Sequence, residues 1–175
     1  DREEVIAFYR RWTKLVAEHF ELWKHTYQSG DDPGPGSIEV YSHAAGDHGY
    51  VFIVNPQYWS QTASVALDGT LGFDAEGPCE IAEIYPIARL RLVEYRPFAD
   101  FGSTIAIEAP AQQVVVLEVR PAPKSIDSPR LYGLPGTVER VGDGYQLKTQ
   151  GAQGCAEAGV VLVPKGFPAI TRAEV

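Results

Sequence analysis

The chain has 175 residues, 45% hydrophobic and 22% charged, which suits one well-buried globular domain, or one domain plus part of another. A formal net charge of −8 and a pI near 5.0 argue against a nucleic-acid partner, because phosphate affinity comes from clustered Lys and Arg and no basic run occurs. No apolar stretch approaches the roughly 20 residues that span a bilayer, so no membrane partner is expected.

Residues 3–25 read as one amphipathic helix. Val5, Phe8, Tyr9, Trp12, Leu15, Val16, Phe20, Leu22 and Trp23 recur mostly at three- and four-residue steps, and Glu3 and Glu4 lie in the first turn, where acids favour the helix dipole. The opening Asp1-Arg2-Glu3-Glu4 therefore reads as helix and not as a secretory signal. Met is absent, position 1 included, which suggests a processed or excised piece of a longer protein. The stripe carries two Trp, a Phe and a Tyr, an apolar excess that calls for a large neighbour.

Ser29-Gly30-Asp31-Asp32-Pro33-Gly34-Pro35-Gly36 ends the helix as a loop, since Pro removes a donor and Gly frees the backbone. Its paired aspartates lack the alternating oxygen ligands and distal Glu of a calcium loop. The period then changes to two. Segments 38–42, 50–55, 62–67, 80–85, 90–95, 104–108 and 114–119 are rich in Val, Ile, Tyr and Phe and are bounded by turn residues. Short strands at this spacing predict a mainly β fold, an antiparallel Greek-key sandwich over residues 36–121 behind one long amphipathic helix (residues 1–28). Gly46-Asp47-His48-Gly49 reads as a hairpin turn. Residues 121–125 read as a linker. Beyond it, 137–141 and 144–149 flank the hairpin signal Gly142-Asp143-Gly144, and 160–163 is a further strand. Residues 122–175 thus either extend the sandwich or begin another module.

Candidate chemistry is sparse. The chain has no Gly-x-Ser-x-Gly elbow and no phosphate loop, for Gly133-Leu134-Pro135-Gly136 lacks the Lys and the following helix. His43 and His48 flank a hairpin turn without a third ligand, which favours solvated side chains over a metal pair. Cys79 and Cys155 are too few for a zinc site; they read as two thiols, or as one bridge in an oxidising compartment. Glycoside hydrolysis needs two carboxylates at a cleft. Asp68, Asp74, Glu76, Glu80, Glu83 and Glu94 are available, yet none forms an evident pair, and Glu80 and Glu83 are expected on a solvated strand face. Tyr58 and Trp59, in the loop Asn55-Pro56-Gln57-Tyr58-Trp59-Ser60, could stack on sugar rings, or could simply close one end of the sandwich. No catalytic residue, metal ligand or cofactor is assigned.

The order of features is itself informative. Ile6-Ala7-Phe8-Tyr9-Arg10-Arg11-Trp12 precedes a Gly/Pro loop. Tyr41-Ser42-His43, Gly49-Tyr50-Val51-Phe52-Ile53-Val54-Asn55-Pro56, Leu67-Asp68-Gly69-Thr70-Leu71-Gly72-Phe73, Ile84-Tyr85-Pro86 and Val114-Val115-Val116-Leu117-Glu118-Val119 follow. Over about residues 4–121 this series resembles the end of α-galactosidase-like (melibiase-type) glycoside hydrolases. The resemblance implies the last helix of a (β/α)8 barrel leading into a C-terminal antiparallel β-domain. It implies no catalytic residue here, since that family's catalytic aspartates lie at barrel strand ends. The partner it implies is a catalytic barrel, met through the face of Val5, Phe8, Trp12, Leu15 and Trp23. The other expectations are a carbohydrate-binding module that uses Tyr58 and Trp59, and a structural or protein-interaction sandwich.

Overall fold

A computed structural model describes residues 2–29, 36–149 and 159–165. Among the described residues the fold is mainly β, with antiparallel sheets and one α-helix. Helix α1 (Arg2–Glu18) is followed by a single 3-10 turn (Leu22–Lys24). The strands are β1 (Tyr27–Ser29), β2 (Glu39–Ala45), β3 (His48–Asn55), β4 (Gln61–Ala66), β5 (Pro78–Tyr85), β6 (Arg89–Leu90) and β7 (Ala99–Asp100). They continue with β8 (Thr104–Ala109), β9 (Gln113–Pro121), β10 (Arg130–Tyr132), β11 (Gly136–Val141), β12 (Gly144–Thr149) and β13 (Val160–Leu162).

The large sheet runs β1-β2-β3-β9-β5-β6-β10-β13, with β7 paired to β5. Its pairings are antiparallel except β6 with β10, which run parallel at Leu90 and Tyr132. A two-stranded sheet, β4 with β8, covers one face. The strict alternation of exposed and buried residues along β8 marks it as a half-solvated cover. Ala63, Val65, Ile105, Ile107 and Ala109 meet Val51, Ile53, Ile81, Val115, Leu117 and Val119 in one apolar core. The middle of β9 is buried on both sides, so Val115, Val116 and Leu117 read as a continuous apolar run.

The opposite face carries α1. Phe8 meets Tyr85, Trp12 meets Phe52 and Tyr85, and His19 meets His48 and Tyr50. Trp23 lies flat on Tyr50, with centroids 5.5 Å apart and planes 8° apart, and it also meets the His43 ring at a tilt. The indole N–H groups of Trp12 and Trp23 are buried with no acceptor among the described residues. Aromatic packing must therefore offset roughly 1–3 kcal/mol of desolvation for each.

A register shift in β5 makes this docking possible. Glu83 pairs with Leu117 but Tyr85 pairs with Val116, so Ile84 is an extra residue, a β-bulge. The bulge returns Tyr85 to the face shared by Val116 and Glu118, under Phe8 and Trp12. The carbonyl of Ile84 is left to accept from the guanidinium of Arg11 on α1.

Three sequence expectations change. The continuous helix to residue 25 stops at Glu18, and Trp23 reaches Tyr50 from the separate 3-10 turn. The strand expected over 90–95 shrinks to Arg89–Leu90, because Glu94 and Tyr95 adopt positive φ in a tight turn closed by Val93 and Arg96. The linker at 121–125 begins within the sheet, where Ala122 N–H donates to Pro78. Strands β10 and β13 extend the large sheet, whereas β11 and β12 form a hairpin of their own. The Gly30–Pro35 loop and Cys155 lie outside the described residues.

Leu117 is fully buried at the centre of β9. Replacing it with Ala should cost about 2–5 kcal/mol in urea unfolding with an unchanged m-value, because the surrounding strands cannot collapse into the space.

Candidate functional site

Two places hold concentrated polar chemistry. The first is the loop after β3. Asn55 ends that strand buried, and its amide cannot reach water. Its Nδ2 donates to the carbonyls of Trp59, Ala109 and Pro110 at 2.8 to 3.0 Å. Its Oδ1 accepts from Gln57 N–H at 3.0 Å and from Gln61 Nε2 at 2.8 Å. Gln112, at φ 52°, donates its N–H to Gln57 O and ties in the β8–β9 turn. A rigid turn thus projects Tyr58 (80% exposed) and Trp59 (61% exposed) into solvent. Neither ring closes an end of the core, and neither stacks on an aromatic ring among the described residues.

The second place is a network of buried acids. Glu80 and Glu83, expected on a solvated strand face, are 0% and 3% exposed. The correction has a physical cause: each carboxylate is covered and held by guanidinium groups. Glu80 Oε2 accepts from Arg120 Nε and Nη2 at 3.0 and 2.7 Å and from Arg130 Nη2 at 2.7 Å, while Tyr132 donates to its Oε1 at 2.6 Å. Glu83 Oε2 accepts from Arg89 at 2.8 Å and from Arg91 at 2.5 Å. Glu118 extends the Glu80 group, with Arg120 at 3.0 Å on one oxygen and His48 Nε2 at 3.1 Å on the other. A carboxylate only accepts, so Nε2 of His48 carries the proton of that bond. This hydrogen bond holds the Glu118 carboxyl below its ordinary range, with Arg120 adding to the effect against desolvation. Burial raises the Tyr132 hydroxyl well above its usual range, and the bond to Glu80 adds to it.

The histidines behave differently from expectation too. His43 is half-buried beneath Trp23, with Nδ1 3.0 Å from the carbonyl of His25, and His48 belongs to the Glu118 pair. Both serve the packing of the helix segment and are not solvated turn residues. Of the other carboxylates considered for glycoside chemistry, Asp68 accepts from Thr70 N–H and caps a 3-10 turn. Among the described residues no group of three His, Cys, Asp or Glu side chains could hold a metal ion. Cys79 is a buried free thiol, and desolvation pushes its pKa up to about 11, far from reactive thiolate.

The arginine cradle was not visible in the sequence. Glu80 finds Arg120 and Arg130 forty and fifty residues away. Only the odd spacing of Glu80 and Glu83 hinted that a strand could not expose both on one face. No family model matches the chain, and no curated protein matches it.

Glu80→Ala should destabilise by about 3–5 kcal/mol, because Arg120, Arg130 and Tyr132 lose their acceptor, whereas an exposed acid such as Glu76 should cost under about 0.5 kcal/mol. The Glu118 contribution has a defined sign. Its folded pKa is depressed below the ordinary 4.5, so the stabilisation is present above that value and is lost as pH falls through the folded one. Urea titrations in this acid range should show a shallower loss of stability for Glu118→Gln than for the native chain.

Proposed function

We propose that this chain is a non-catalytic β-domain, a Greek-key sandwich with its leading helix, that packs against a catalytic (β/α)8 barrel of a glycoside hydrolase. The observation that carries the reading is an apolar edge left open on α1. At 100° per residue, Val5, Tyr9 and Val16 fall within about 40° of one another, and Phe20 follows in the next turn. These four are between 36% and 66% exposed, a concentration unusual for a lone helix resting on its own sheet. The partner face differs from the sequence expectation. Of Val5, Phe8, Trp12, Leu15 and Trp23, the two Trp rings face this chain's own sheet and Leu15 is half-buried. Val5 and part of Phe8 stay open, and Tyr9, Val16 and Phe20 complete the edge. The ordered resemblance over residues 4–121 names the occupant. The engagement of Glu80 and Glu83 with arginines supports a structural role for the acids.

The test uses the gene upstream of Asp1 and the complete protein it encodes. A (β/α)8 pattern with aspartates at strand ends is expected there. Val5→Lys with Tyr9→Lys should lower the melting temperature of the complete protein by roughly 4 °C or more, with little change in the 175-residue chain alone. An unrelated upstream sequence, or equal effects in both proteins, overturns the proposal.

The exposure of Tyr58 and Trp59 on a rigid turn favours a second reading, a carbohydrate platform. Tryptophan fluorescence should then respond saturably to oligosaccharides in the native chain and not in Trp59→Ala. A flat titration of the native chain against a panel of oligosaccharides would remove this reading.

A further inference from the structure

Charge is unevenly placed on this chain. Residues 49–67 and 109–117 contain no Asp, Glu, Lys or Arg, in a sequence that is 22% charged. Core strands account for part of each run, yet Ser60, Thr62, Gln112 and Gln113 within them face solvent. Solvent-facing positions ordinarily carry about 25–35% charged residues. The two runs meet at one end of the sandwich. Gln112 N–H donates to the carbonyl of Gln57 at 2.8 Å, and Asn55 Nδ2 donates to the carbonyls of Trp59, Ala109 and Pro110. The uncharged surface therefore surrounds Tyr58 and Trp59.

The strands that border these turns begin with acids. On β2 the first charged residue from this end is Glu39, opposite Val54, and on β8 it is Glu108, opposite Thr62. The chain as a whole carries a net charge of −8. A carboxylate or sulfate brought to the turn would lose hydration, find no Lys or Arg within either turn, and meet a field of its own sign. Neutral polar partners are at hand instead. Gln112 and Gln113 are exposed side-chain amides, and an amide both donates and accepts, as a sugar hydroxyl does. The exposed rings of Tyr58 and Trp59 offer flat apolar faces to the C–H side of a sugar ring.

We propose that the Tyr58–Trp59 turn takes uncharged sugars and excludes acidic ones. The inference rests on the carbohydrate reading of that turn and narrows its ligand class.

The test titrates the whole chain by tryptophan fluorescence with cello-, malto-, manno- and galacto-oligosaccharides, each beside its own C6-carboxylate form. At least one neutral oligosaccharide is expected to bind, with its carboxylate form weaker by about five-fold or more in about 20 mM salt. The neutral affinity should change by less than about two-fold when salt is raised to about 500 mM, because no charge is paired. Ser60→Lys adds a cation next to Trp59 at an exposed position and should bring the carboxylate form within about two-fold of the neutral one at low salt. Circular dichroism checks that this variant folds. Binding of no member of the panel removes the carbohydrate reading and this inference with it. Three results overturn the inference alone and leave the aromatic platform standing: a carboxylate form that binds as tightly as its neutral parent, a neutral affinity that falls more than two-fold with salt, or an unchanged gap in folded Ser60→Lys.

Discussion

One extra residue in β5 governs how the helix and the sheet meet. Without the bulge at Ile84, strand alternation would turn Tyr85 toward the β4–β8 cover and leave the helix without its aromatic contact at that end. With it, Tyr85 joins Phe52 beneath Phe8 and Trp12, and the carbonyl of Ile84 meets Arg11. Glu83, just before the shift, keeps the regular register opposite Leu117, on the other face, where Arg89 and Arg91 reach it. Helix docking at this end thus turns on one local irregularity. The 3-10 turn at Leu22–Lys24 does the equivalent work at the far end, placing Trp23 on Tyr50.

The buried acids specify an arrangement more than they add stability. Removing a carboxylate from water costs several kcal/mol, and attraction to a guanidinium repays this only with good geometry and satisfied lone pairs. Glu80 meets that condition with three donor side chains, and its position relative to Arg120, Arg130 and Tyr132 fixes how β9 and β10 lie about β5. An apolar residue of similar size could pack there without demanding any particular partner. The ion pairs of the β11–β12 hairpin are different: Lys148 and Glu139 are half-exposed, and water screens them.

Much of the architecture is legible in the residues because it follows from period. Strands half-covered by another layer show alternation, as β8 does, and α1 shows its three- and four-residue recurrence. The elements that escape are those that only tertiary contact creates. Strands β1, β7 and β10 have two or three residues each, too few to display any period. The end of α1 carries no Gly or Pro, so stacking of Trp23 on Tyr50 decides what local propensity leaves open. Tyr58 and Trp59 are legible as an exposed turn because Pro56 and Ser60 bracket them, while the five hydrogen bonds of Asn55 that hold the turn come from partners as far away as Pro110. The arginine cradle is least legible, since a Glu on an alternating strand looks the same whether water or a distant guanidinium receives it.

The cradle also orders events in time. A chain made from its N-terminus completes the β2–β3 pair early, and β9 then closes β3 and β5 together. At that moment Glu80 has met Arg120, but Arg130 and Tyr132 lie some ten and twelve residues further along the chain than Arg120. The acid must stay hydrated until that segment has left the ribosome, because burial with a single partner leaves its desolvation poorly repaid. A chain that stops before Arg130 would therefore lack two of the three side chains that cover Glu80, leaving that flank of β5 wet and unsealed.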